Sequence, residues 1–449
     1  MKGGNTKREE WEYEARSGFV VGGKRIQAGG FFMDTPSPRT ASSHRGLAVM
    51  LAALSAVGPF AIDAYLPSMK EIGERFAASA VTVQQTLTAY MLPFAIMTLW
   101  HGAISDALGR RRVTLVMVAL FLLASAGCAL AWSIESLLFF RAMQGMTAGA
   151  GMVIGRAIVR DVLDGHEAQR LMSQISLVFA IAPAVAPVLG GWLHVWFGWR
   201  SVFAFLVLFT AAVWTVCWRS LPETLPVERR QSLHPGYLLG AYWQVLRTAP
   251  FVALVVSVTC NFSAVFLYIV SAPAFLMDHL HVSETGFLWL FGPVTAGLVA
   301  GAWTSGRVAG RITPVRTVGW GYGVMVAAVI ANVAYHLLEP PALPWSIVPL
   351  FFYFGGSALA MPSLTILALD LFPTQRGLAS SCQSFVQTMG NVIATALVAP
   401  LVWGSALTLA VGQAVVLALG LAAFALYRRI PSRAPAIATP PRAAPHNGT

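Results

Sequence analysis

Residues 47–69 read LAVMLAALSAVGPFAIDAYLPSM. The run carries no charge before Asp63. Its length is what a helix needs to cross about 30 Å of hydrocarbon. An ionisable side chain in such a run costs roughly 3 kcal/mol on insertion scales, so a lone carboxyl there marks a functional position. Helical rise places Asp63 about 24 Å along the span, in its outer half if the chain enters from the cytoplasm.

Outward from this stretch the same pattern recurs. The chain has 449 residues, of which 56% are hydrophobic and 11% charged, whereas soluble domains carry about 25% charged residues. A soluble surface cannot be built from that composition. Runs near twenty residues occur at 47–69, 83–104, 113–132, 136–158, 170–194, 200–220, 249–277, 285–309, 317–338, 345–370, 378–403 and 405–428. They predict an all-α membrane protein of twelve transmembrane helices in two six-helix halves.

The net charge of +11 raises the possibility of nucleic-acid binding, which the placement of the charges excludes. With a cytoplasmic N-terminus, 26 of the 30 Lys and Arg fall in the tails or the cytoplasmic connections, leaving Lys70, Arg75, Arg141 and Arg200 elsewhere. This is the positive-inside pattern, and it sets both termini in the cytoplasm. Four cysteines in apolar runs, without metal-ligand spacing, read as small core residues.

Residues 1–46, polar and without helical periodicity, read as a disordered cytoplasmic tail, with Met33 as an alternative start. Residues 47–220 form the first half, 221–248 a proline-bearing central linker, 249–428 the second half and 429–449 a cytoplasmic tail. Between the halves Gly109-Arg110 is echoed by Gly310-Arg311, while Asp106 is answered by Arg307. The spacings Gly145 to Gly149 and Gly151 to Gly155 suit close helix packing.

Arg141 enters the fourth span from outside and lies about 8 Å below its outer boundary, a depth comparable to that of Asp63. Opposite charges at one depth should meet each other or a water-filled cavity. Gln144, one turn on, shares the face of Arg141. Tyr65, Tyr90, Gln144, Asn261 and Gln387 are candidates to line a substrate cavity, against the plainer reading of helix–helix hydrogen bonding and interface aromatics. The ligand-type residues Asp278, His279 and His281 fall in an outer loop, and no metal or other cofactor is expected.

The segment GAISDALGRRR, residues 102–112, resembles the cytoplasmic signature of the major facilitator superfamily. Arg141-Ala-Met-Gln144-Gly145 is similar to its fourth-helix motif. The segment APAVAPVLGG at 182–191, with Pro183, Pro187, Gly190 and Gly191, is similar to its fifth-helix antiporter motif, Ala186 being a departure from the usual glycine. Asp63-Ala-Tyr-Leu-Pro67 and Arg156-Ala-Ile-Val-Arg160-Asp161 resemble the Bcr/CflA type of drug resistance transporter.

The resemblance implies the major facilitator fold and a monomeric exporter of drug-like small molecules in the bacterial inner membrane. It would work by alternating access and be driven by the proton gradient, with Asp63 as the proton-coupling acid and Arg141 tuning it. It further implies that Gly102, Asp106, Gly109, Arg110 and Arg111 form a cytoplasmic gate, with Asp106 near the start of the eleventh helix. A proton-linked uptake symporter is the nearest alternative. An intramembrane enzyme would need a nucleophile with a base or a metal set, and a receptor would be expected to carry a soluble domain; neither signature is visible.

Overall fold

A computed structural model of the chain describes residues 20–21, 24–25, 38–163, 165–230, 235–373 and 375–430. The expected disorder of the first tail, the alternative start at Met33 and the last tail beyond 430 lie mostly outside the described residues. Residues 1–46 form one unit, containing the two-residue antiparallel pair β1 (Val20–Val21) and β2 (Lys24–Arg25); residues 47–449 form the other.

Twelve long helices follow. The first half contains α1 (Pro38–Asp63), α2 (Ala80–Leu108), α3 (Arg110–Ala129), α4 (Ile134–Val162), α5 (Gly165–Phe197) and α6 (Arg200–Ser220). The second contains α7 (Ala249–Val270), α8 (Leu288–Val308), α9 (Pro314–Leu338), α10 (Val348–Asp370), α11 (Arg376–Val402) and α12 (Ala406–Arg429). The first helix starts nine residues before the apolar run does, because polar residues such as Ser42, Ser43 and Arg45 extend it without breaking it. After Asp63 the first span continues through Leu66–Ser68 to a short helix, Met69–Arg75.

The tight outer turns are set by capping. Ser133 and Ser136 form a reciprocal capping box that starts α4, and Ser405 with Thr408 does the same for α12. The central linker is more ordered than its prolines suggested, since Pro235–Leu246 is helical and exposes Leu239 and Trp243.

Ten helices among the described residues are long and apolar enough to span a membrane; α5 and α8 are outside that set. In sequence, α5 carries the uncharged apolar run ISLVFAIAPAVAPVLGGW at 175–192, and α8 is a continuous helix diluted by Gly292, Gly297, Gly301 and Gly306. These two helices pack against each other across the halves.

Packing repeats between the halves. The neighbours α2–α4, α3–α4 and α3–α6 recur as α8–α10, α9–α10 and α9–α12. Gly109 and Gly310 both adopt positive φ, 95° and 77°, a backbone shape that glycine adopts without the strain a Cβ would bring. The small residues of α4 work as spaced: a Cβ on Gly145 would fall on the backbone of Tyr90 in α2, and one on Gly151 on Leu54 in α1.

Candidate functional site

A polar layer is buried in the outer part of the first half. Arg141 on α4 is fully buried. Its Nη1 donates to the carbonyl of Ala61 and to Oε1 of Gln144, each at 2.9 Å. Ala61 lies in the last turn of α1, the negative pole of that helix, where a cation is favoured. The guanidinium also lies 4.9 Å from the ring centre of Tyr65 and 4.5 Å from that of Tyr90. Such stacking contributes up to about 2 kcal/mol when desolvated.

The shell around Arg141 ties four helices together. Gln144 Nε2 donates to Ser125 Oγ on α3 at 2.8 Å, and Cys128 Sγ lies 3.5 Å from Gln144 Oε1. Tyr65 Oη pairs with Thr86 Oγ1 on α2 at 2.8 Å, and Tyr90 Oη donates to the carbonyl of Gly58 at 3.1 Å. Ser125, Cys128 and Thr86 were not singled out from sequence, because hydroxyl and thiol side chains in apolar runs carry no spacing signal. The same holds for His101 on α2, which is buried with Nε2 3.1 Å from the carbonyl of Met146.

Asp63, 5% exposed, ends α1 two residues beyond the carbonyl that holds Arg141. It takes no part in the ion pairs found among the described residues. Arg141 Nε and Nη2 likewise have no acceptor there. Of the two expected alternatives, meeting each other or a water-filled cavity, the direct meeting is not made in this arrangement; the two tyrosines and the end of α1 hold the guanidinium.

The antiporter-type segment backs this layer. A Cβ on Gly190 would fall on the backbone of Ala64, the residue after Asp63. A Cβ on Gly191 would fall on the carbonyl of Glu284, which precedes α8 in the other half. Pro187 is buried and Pro183 half-buried between these contacts and the inner end of α5.

The candidate cavity residues divide. Tyr65, Tyr90, Gln144 and Asn261 are all fully buried, and Asn261 Oδ1 accepts from Ser357 Oγ of α10. These four are packed between helices in this arrangement, and the two tyrosines are buried against Arg141 rather than set at a lipid interface. Gln387 on α11 is half-buried.

At the inner face, Gly102 packs 3.8 Å from Val153 as measured from the position of its absent Cβ. Asp106 pairs with Arg110 Nη1 at 2.5 Å, Arg110 Nε with Asp161 at 3.0 Å, and the Arg110 amide with Glu223 of the linker at 2.8 Å. Arg111 Nη2 donates to the carbonyl of Trp218 at 2.8 Å. In this arrangement Asp106 makes its ion pair within its own loop. The first residue of α11, Arg376, pairs with Asp370 of α10, and the inner-face ion pairs found among the described residues each stay within one half and its linker. Among the described residues no three His, Cys, Asp or Glu side chains gather as a metal site.

Side-chain bonds between α2 and α11 lie toward the outside: Gln85 Nε2 donates to the carbonyl of Ala396 at 3.4 Å, and Thr395 Oγ1 lies 3.6 Å from Met91 Sδ. Twelve long helices in two alike sets, ten of them long and apolar enough to span a membrane among the described residues, meeting along α2–α11 and α5–α8, have the architecture of a secondary transporter. The chain belongs to the Major Facilitator Superfamily, whose profile matches residues 49–395.

Among its relatives, the MFS-type transporter YdgK of Bacillus subtilis is 31% identical over 80% of this chain and 90% of its own length. Multidrug resistance protein D of Escherichia coli is 26% identical over 79% and 89%. A solved bacterial homolog of the human lysosomal transporter Spinster shares the fold, with a TM-score of 0.66 and 17% identity, covering 87% of this chain and 96% of that one. The chain is thus a multi-pass membrane transporter of small molecules and not an enzyme.

Proposed function

We propose that this protein is a proton-coupled exporter of drug-like molecules of the Bcr/CflA type, acting as a monomer in the bacterial cytoplasmic membrane with both termini inside. Similarity to a multidrug resistance protein supports the cargo class, and the positive-inside charge pattern supports the orientation. The observation that carries the coupling is the separation of Asp63 from Arg141: a buried carboxyl outside any ion pair, two residues from the carbonyl that holds a guanidinium with two unpaired N–H groups.

Such a pair can alternate. With Asp63 protonated, the guanidinium rests on the end of α1 and the two tyrosine rings. Once the proton leaves, the carboxylate gains the unpaired fork of Arg141 as a charge-assisted partner. Loss of the proton to the cytoplasm and its return from outside would then bias the packing of α1 against α4, and with it the contacts of α5 next to Ala64. Joined outer contacts and inner-face ion pairs that each stay within one half and its linker suit the inward-facing half of such a cycle.

The direct test is expression in a strain lacking its own exporters. Resistance to several unrelated amphiphilic drugs should rise, and dye efflux should collapse on adding a protonophore. Efflux indifferent to the protonophore would remove proton coupling, and cargo accumulation in place of efflux would favour the symporter.

The inner loop gives a second prediction. The Asp106 side chain is 37% exposed, and without it Arg110 keeps its bonds to Asp161 and Ser105. Asp106→Ala should therefore leave membrane level and melting temperature near wild type while lowering efflux several-fold, because the state closed to the cytoplasm loses its acid. Unchanged efflux at unchanged expression would show that Asp106 serves only the local pair with Arg110.

A further inference from the structure

Beyond the outer contacts of α2 with α11 lies a cavity of about 570 Å³. One wall is the Met69–Arg75 extension of the first span and the first turn of α2; the other is the end of α7 and the turn between α11 and α12. Gln84 lines it, while its neighbour Gln85 makes the bond to Ala396, so the cavity ends where the halves join. Its volume falls within the 300–1,000 Å³ typical of drug-sized sites.

Two polar groups in its lining are unsatisfied. Gln84 and Ser271 are each 1% exposed, and Gln84 Nε2 and Ser271 Oγ have no hydrogen-bond partner among the described residues. An unpaired buried donor costs about 1–3 kcal/mol, a cost that a ligand acceptor would relieve. Between them the walls are apolar, with Met69, Met277 and Trp403. Exposed at its lining are two carboxyl side chains, Glu74 and Asp278, and one ammonium, Lys70.

We propose that this vestibule is a second ligand site, open to the outside, which takes a neutral or cationic amphiphile carrying a hydrogen-bond acceptor. The apolar body rests on the methionines and Trp403, the acceptor on Gln84 and Ser271, and any positive charge near Glu74 and Asp278. The site is separate from the layer of Asp63 and Arg141 and is reached while the halves are joined beneath it. It rests on the membrane orientation given above and not on proton coupling.

The test is protection of a cysteine. Ala80, exposed at the start of α2, lines the cavity, whereas Cys128, Cys217 and Cys382 are buried. In intact cells the full-length Ala80→Cys protein should react with a membrane-impermeant biotin-maleimide above the background of the parent protein. Rhodamine 6G, a cation with an ester carbonyl, should slow that reaction at least five-fold; fluorescein, an anion of similar scaffold, should slow it less than two-fold. Adding Gln84→Leu or Ser271→Ala should abolish most of the protection.

Failure to label from outside, equal protection by both dyes, or protection untouched by both polar variants would each overturn the site. The readout is binding rather than efflux. Loss of this result and loss of proton coupling are therefore told apart by measuring protonophore-sensitive efflux in the same cells.

Discussion

Asp63→Asn should reduce proton-driven efflux at least 100-fold while leaving the protein folded and in the membrane. The amide has about the size and polarity of the protonated acid, and in this arrangement Asp63 makes no ion pair among the described residues that the amide would forfeit. What the variant lacks is the second state, in which a carboxylate takes the unpaired Nε and Nη2 of Arg141. The sign follows directly. Wild-type efflux should fall as the imposed pH gradient is reduced, whereas any residual downhill exchange by Asp63→Asn should not respond to it. Everted vesicles with an imposed gradient measure both, and wild-type uphill transport by the variant would place the coupling acid elsewhere.

Gly191→Ala should shift the protein toward its outward-open form. The added methyl would land on the carbonyl of Glu284 in the other half, and overpacking a close contact costs typically 1–3 kcal/mol. The contact exists only while the outer ends are joined, so the cost falls on one conformation. A bias of 1–3 kcal/mol moves an equilibrium by roughly 5- to 150-fold. Labelling from outside of Thr395→Cys, a position buried in the α2–α11 contact, should accelerate about ten-fold or more, and efflux should fall because the carrier returns slowly to the inside. Gly190→Ala meets Ala64 within its own half. It should disturb expression and the Asp63 layer without that gain in outer accessibility. If both variants behave alike, the α5–α8 contact is static packing.

The apolar runs made the fold legible, because bilayer thickness imposes one length on every span and the flanking arginines impose one direction. They blurred at the ends. Polar residues can prolong a helix into the interface, as at Pro38, and the helix at Pro235–Leu246 was hidden behind the prolines and arginines of its linker.

In the site, Asp63 and Arg141 stood out because charges in hydrocarbon are costly. The partners Ser125, Thr86 and Cys128 did not, since their cost in a membrane helix is small and their role depends on which helix they face. Asp161 and Glu223 are separated from Arg110 by 51 and 113 residues. Chain folding alone brings them to that arginine.

The paired turns at Gly109 and Gly310 bear on how such a protein could be remade. Both halves keep the same left-handed glycine, yet three residues earlier one carries an acid that grips its own loop and the other carries Arg307, whose guanidinium lies 3.8 Å from the ring centre of Trp303. Bending the chain and controlling the gate are thus separable tasks. On the function proposed above, a chimaera retaining residues through the central linker, joined to the second half of another carrier, would inherit the Asp106 loop and the Asp63 layer whole. Its cargo preference would then be free to vary with the grafted half.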